Sequence, residues 1–156
     1  MGGILTERKS KSRAVFELRL HIVFVTKYRR PCLTEAVQQE AKQAFADILA
    51  QWDCALVEFG AEADHVHLIA EIHPALEISR LINNLKSASS KRLRNRFPEH
   101  FANFYWKPLL WHRAYYVGSV GAASLETVKR YVERQGTKAR QYGTIQADDQ
   151  SDIESD

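Results

Sequence analysis

His65 and His67 flank a single valine in the apolar run Asp64-His65-Val66-His67-Leu68-Ile69-Ala70-Glu71-Ile72. Side chains alternate along a strand, so Val66, Leu68, Ala70 and Ile72 form one core-facing row while both imidazoles point the other way, about 7 Å apart. Two rings so placed can turn toward one ion or one phosphate; two histidines on a half-solvated strand face are the plainer reading of the same pattern. Near the other end, Lys129-Arg130-Tyr131-Val132-Glu133-Arg134-Gln135 places Tyr131 and Gln135 one helical turn apart on one side. The phenol is a candidate nucleophile and the amide oxygen a neutral metal ligand, although a tyrosine on an amphipathic helix is also an ordinary packing residue. Taken together, two imidazoles and one amide oxygen suit a divalent cation such as Mg²⁺ or Mn²⁺, with water or phosphate in the open positions.

The elements that must position these groups follow from periodicity. Residues 15–26 alternate as a first strand, with Phe16, Leu18, Leu20, Ile22 and Phe24 on one side. Thr34 caps a helix from Glu35 to about Trp52, whose stripe is Val37, Ala41, Ala44, Phe45, Ile48, Leu49 and Trp52. Residues 55–60 and 65–72 pair as a hairpin across the turn between them. Pro74 ends the second of these strands, and Ile78, Leu81, Ile82, Leu85, Ala88 and Leu93 predict a long helix ending near Phe97-Pro98. Residues 101–111, rich in aromatics and containing Pro108, read as a loop into a strand over about 113–120; Phe104, Tyr105, Trp106 and Trp111 can stack on bases or serve as core. A last helix runs from Leu125 to about Gln135, with Ser124 as its cap.

The order β-α-β-β-α-β plus one helix predicts an α+β fold, a ferredoxin-like or RRM-like antiparallel sheet with both helices on one face. His65 and His67 then lie on the open face, and the last helix docks there, on its own or a neighbouring subunit. His21, on the first strand, is either a group supporting the site or a half-exposed strand histidine. Asp64 either orients an imidazole or simply ends a turn.

Composition narrows the partners. At 156 residues and 45% hydrophobic content, the chain is one domain with room for a core. Cys32 and Cys54 form neither a disulfide framework nor a thiolate metal motif, and no apolar run reaches membrane-span length, so a cytoplasmic protein without a membrane partner is expected. The net charge is +3, but five of the 19 acids lie in the last nine residues, leaving 14 acids against 22 bases elsewhere. That surplus attracts polyanions. Candidate phosphate contacts are Lys27, Arg29 and Arg30 after the first strand, and Lys86, Lys91, Arg92 and Arg94 on the second long helix. The expected organisation is a basic extension over 1–13, a domain over 14–140 and an acidic, disordered tail over 141–156.

Tyr28-Arg29-Arg30, Asp64-His65-Val66-His67-Leu68, the Trp111 to Gly121 segment and the helix Leu125 to Gln135 occur in an order and at intervals that resemble the small single-tyrosine HUH transposases of the TnpA type. The resemblance covers residues 20–135. It implies a metal-dependent endonuclease and strand transferase acting on single-stranded DNA, at hairpin-bearing ends of an insertion sequence. It further implies Tyr131 as nucleophile, His65, His67 and Gln135 as ligands of Mg²⁺ or Mn²⁺, and a homodimer in which the tyrosine helix completes the partner's site. Two alternatives remain: a domesticated relative that processes genomic repeat hairpins, and a non-catalytic RRM-like nucleic-acid-binding module. A transposase built on three carboxylates is excluded, since Glu58, Glu62 and Asp64 bunch at one hairpin. His112 departs from the family, whose members often carry a small hydroxyl residue there.

Overall fold

A computed structural model of the protein describes residues 18–120 and 130–135. The basic extension, the acidic tail and the expected cap at Ser124 lie outside these residues. The elements are β1 (Arg19–Thr26), α1 (Glu35–Gln51), β2 (Ala55–Ala61), β3 (His65–Glu71), α2 (Ile78–Arg96), α3 (Pro98–Ala102) and β4 (Trp111–Ser119), followed by helical residues 130–135. The four strands form one antiparallel sheet in the order β2-β3-β1-β4, with β2 and β3 as the expected hairpin. This is the predicted α+β arrangement. Among the described residues, no helix is long and apolar enough to cross a membrane.

Local chemistry accounts for the elements. Thr34 caps α1, its hydroxyl oxygen accepting from the Val37 backbone N–H at 3.3 Å, and the stripe from Val37 to Leu49 is buried as its spacing requires. On α2, Leu81, Ile82, Leu85 and Leu93 are buried against the same core. The sheet contributes Ile22, Phe24, Val66, Leu68 and Ala70, each without measurable exposure. Phe24, Phe45 and Trp111 pack as a triangle of rings 5.8 to 6.3 Å apart.

Two boundaries differ from the sequence expectation. Residues read as the start of a loop form α3, which opens on Pro98, where a fixed φ and a missing N–H suit the first helical position. β4 starts at Trp111 because that indole is core. Its Nε1–H donates to the buried hydroxyl of Ser89 on α2 at 2.9 Å. Ser89→Ala leaves this indole N–H without an acceptor in the core and should cost about 1 to 3 kcal/mol. A urea midpoint unchanged from wild type would show that the bond carries no net stability.

Candidate functional site

The period of β3 divides its side chains as predicted. Val66, Leu68 and Ala70 enter the core, while His65 and His67 stand half-buried on the opposite face. Their ring centroids are 6.5 Å apart and the ring planes lie 30° from parallel. In the sheet register His65 pairs with Val25 and His67 with Val23, so the imidazoles flank the centre of β1.

His65 is held from behind. Its Nδ1 lies 2.9 Å from Asp64 Oδ1, and Asp64 Oδ2 accepts from Arg29 Nε at 2.8 Å. Because a carboxylate can only accept, Nδ1 carries the hydrogen of this bond. The hydrogen bond with His65, and after it that with Arg29, holds the Asp64 carboxyl below its ordinary range against the opposing effect of burial. Arg29 reaches Asp64 from a 3₁₀ turn, Lys27–Arg29, in which Tyr28 and Arg29 both take left-handed φ values, 59° and 54°. Such backbone is costly for residues with a Cβ. The Thr26 hydroxyl braces it, lying 2.7 Å from the Arg30 carbonyl and 3.1 Å from that of Asp64.

His67 lies over Gly60 on β2, where an added Cβ would collide with Nε2 and Cε1 of the ring. Burial, followed by the neighbouring His21 and His65, lowers its pKa, which favours the neutral imidazole that a metal requires. His21 meets His67 edge-on at 5.8 Å and Tyr116 at 6.2 Å, and burial lowers its pKa as well. Tyr116 in turn lies 6.0 Å from Tyr131. The open face therefore carries a file of rings, His65, His67, His21, Tyr116 and Tyr131, running from β3 to the carboxy-terminal helical residues.

Those residues seat on the open face of their own chain. Tyr131 and Val132 form a second small core with Val23 and Val25, the strand neighbours of the two histidines. Tyr131 lies against Tyr116, Tyr116 against His21 and His21 against His67. Gln135 is buried on the same helical side. Among the described residues, Tyr131 Oη, Gln135 Oε1 and His21 Nε2 are buried without a hydrogen-bond partner. Three such atoms at one interface are costly and ask for a polar occupant. Beside them a cavity of about 420 Å³ is lined by Tyr116, Arg130, Tyr131 and Arg134.

The donor set fits a divalent cation. Among the described residues no group of three His, Cys, Asp or Glu side chains is arranged to hold a metal ion, so a third protein ligand beside the two imidazoles would be of another type. The unpartnered amide oxygen of Gln135 is one, alongside Nε2 of His65 and a ring nitrogen of His67.

The basic residues separate into two groups. Lys27 is buried, with Nζ 5.0 Å from the Tyr28 ring centroid, and is not displayed to a phosphate. Arg30 lies over Tyr28 and Tyr105 and donates to the Phe104 carbonyl, while Arg29 is engaged by Asp64. Arg92 bonds Glu40 at 2.8 Å and Asp47 at 2.7 Å, because its position around α2 turns it toward α1. Lys86, Lys91 and Arg94 line a cleft on the helical layer. Residues that spacing did not single out for the site are Tyr116, Gly60, Arg130 and Arg134. An isolated glycine in a strand pattern was the one available signal, since it often marks a close approach.

Gly60→Ala should displace the His67 imidazole and lower stability by about 1 to 3 kcal/mol, with most of that cost gone in Gly60→Ala/His67→Ala; equal costs in both backgrounds would show that the ring does not need the glycine. A second expectation concerns Tyr131, whose phenol is pushed up to about 12 by burial, with Arg134 pulling the other way. A released phenol ionises near pH 10. The folded chain then binds the extra proton, so this contribution is complete below about pH 10 and is lost as pH rises toward 12. Wild type should lose urea resistance more steeply over that window than Tyr131→Phe, and equal slopes would contradict the burial.

Comparison with known proteins agrees with this geometry. Residues 14–135 match the family model described as Transposase IS200 like. The chain is 28% identical over 132 residues to the ISDra2 transposase TnpA of Deinococcus radiodurans, covering 85% of this chain and 94% of that protein. It is 31% identical over 133 residues to the transposase for insertion sequence element IS200 of Salmonella typhimurium, covering 83% and 84%. A crystal structure of a Deinococcus radiodurans protein assigned as a transposase superposes with a TM-score of 0.72 at 31% identity, covering 78% of this chain and 92% of that one. The paired imidazoles, the tyrosine helix and the sheet that joins them thus sit in a chain that belongs to the IS200-like transposase family.

Proposed function

We propose that this transposase cuts and rejoins single-stranded DNA at the hairpin-bearing ends of an insertion sequence through a 5′-phosphotyrosine intermediate. Tyr131 is the nucleophile, and His65, His67 and Gln135 hold Mg²⁺ or Mn²⁺. The observation that carries this reading is the set of unpartnered buried oxygens, Tyr131 Oη and Gln135 Oε1, on the helical side that covers the imidazole-bearing face.

Arg130 and Arg134 flank the phenol along the cavity and can grip a phosphodiester through paired N–H bonds. Arg134 also favours the phenolate, partly offsetting burial. Tyr131 Oη attacks phosphorus in line; the Oη–P bond forms as the P–O3′ bond breaks, the phenol proton leaves to solvent and the departing oxygen becomes a 3′-OH. His65, His67 and Gln135 would hold the cation, which would supply charge neutralisation for the reacting phosphate. Rejoining reverses the step: another 3′-OH attacks the same phosphorus and the proton returns to Tyr131. One phosphodiester is exchanged for another, so no nucleotide hydrolysis is needed, in keeping with the absence of a Gly-x-x-x-x-Gly-Lys-Ser/Thr loop from the sequence.

The working unit is a homodimer in which the tyrosine helix can serve the partner's pocket. Two features support this. Tyr131 packs on Tyr116 rather than on the histidines of its own chain, and the seat on Val23 and Val25 is a small apolar surface that a second copy presents identically.

With Mn²⁺ and a single-stranded oligonucleotide carrying a hairpin from the DNA that flanks the gene, the full chain should give an SDS-resistant protein–DNA adduct. Tyr131→Phe should abolish the adduct and leave hairpin binding near wild type. Equal loss of adduct and binding would make the tyrosine structural and end this mechanism.

A further inference from the structure

A cleft of about 540 Å³ opens on the helical layer, away from the imidazole face, between α2 and residues 107–111. Lys86, Lys91 and Arg94 line one wall and Lys107 the other, with Leu109 and Trp111 beneath. Neither Lys91 nor Lys107 pairs with a carboxylate among the described residues, in contrast to Arg92, whose charge is taken up by Glu40 and Asp47. Next to Lys107 in the chain stands Trp106, 75% exposed, with Lys107 Nζ 4.1 Å from its ring centroid. Its neighbours Tyr105 and Trp111 are buried, so the exposure belongs to this one ring. A large apolar plane held in water beside cations is costly for a chain that buries its other aromatics, and it has the form of a stacking platform.

We propose that this cleft is a second DNA-binding site, in which an unpaired base stacks on Trp106 while the adjoining phosphates run along Lys91, Arg94 and Lys107. The occupant is single-stranded because a base inside a duplex has no free face to offer the indole, whereas the cations alone would accept either form. Thus the cleft anchors the unpaired strand next to a hairpin on one layer of the protein while the tyrosine chemistry proceeds on the other. This rests on the DNA-processing reading above. It adds to that reading a contact that discriminates single strand from duplex at a distance from the reacting phosphate.

The test uses the full chain and a fluorescein-labelled oligothymidylate, whose bases stack weakly on one another, against a duplex of equal length. Trp106→Ala should weaken oligothymidylate binding by about 5- to 150-fold and duplex binding far less. Trp106→Phe should restore most of the affinity, while removing the quenching of tryptophan fluorescence that accompanies binding in wild type. Lys91→Ala and Lys107→Ala should each lower the slope of log affinity against log salt by about 0.7. Wild-type affinity in Trp106→Ala, equal losses for both DNA forms, or unchanged salt slopes would overturn the proposal. Adduct formation by wild type, scored in parallel with a hairpin substrate, reports on Tyr131 alone, so a missing adduct counts against the phosphotyrosine mechanism and leaves the Trp106 comparison standing.

Discussion

β1 has to be covered on both faces. It is flanked by β3 and β4, and from Ile22 to Val25 its residues are almost without exposure, although consecutive side chains point to opposite sides of the sheet. The long helices cover Ile22 and Phe24. Among the described residues, Tyr131 and Val132 of the carboxy-terminal helical segment cover Val23 and Val25, with Tyr116 packed beside them. Burial of apolar area, at roughly 25 cal/mol per Å², is therefore what brings a phenol to the face that bears the histidines.

The imidazole face is braced from several segments of the chain. The chain accepts two consecutive left-handed residues after β1, and the hydroxyl of Thr26 and the Arg29–Asp64 pair return part of the cost. What the strain achieves is the aim of one guanidinium at one carboxylate, which in turn sets the tautomer and orientation of His65. His67 is fixed by different means, a glycine beneath it and the edge of His21 beside it. Two histidines that share a strand thus receive their geometry from three other segments of the chain.

The two layers of the fold present different groups. The sheet's open face offers nitrogen and oxygen donors in a partly desolvated setting, whereas the helical layer offers cations beside an exposed indole. Arg130 and Arg134 line the cavity beside Tyr131, and the charge of Arg134 partly offsets the burial that raises the phenol's pKa.

The alternation of residues 65–72, the cap at Thr34 and the stripes of both long helices depend on neighbours one to four positions apart, so the sequence by itself determined the elements, the α+β order and the face on which His65 and His67 lie. It also placed Tyr131 and Gln135 together, since one helical turn joins them. Tertiary structure alone decided what each group meets. Lys27, written among exposed bases, is buried beneath Tyr28, and Arg92 is drawn to Glu40 and Asp47, because the direction of a side chain relative to a distant element depends on packing and not on local period. Likewise, His21 meets His67 through strand register, Trp106 is exposed while Tyr105 and Trp111 are buried, and Gly60 seats a ring supplied by another strand. Contacts between residues far apart in the chain are set by how whole surfaces fit, and that fit is a property of the assembled fold.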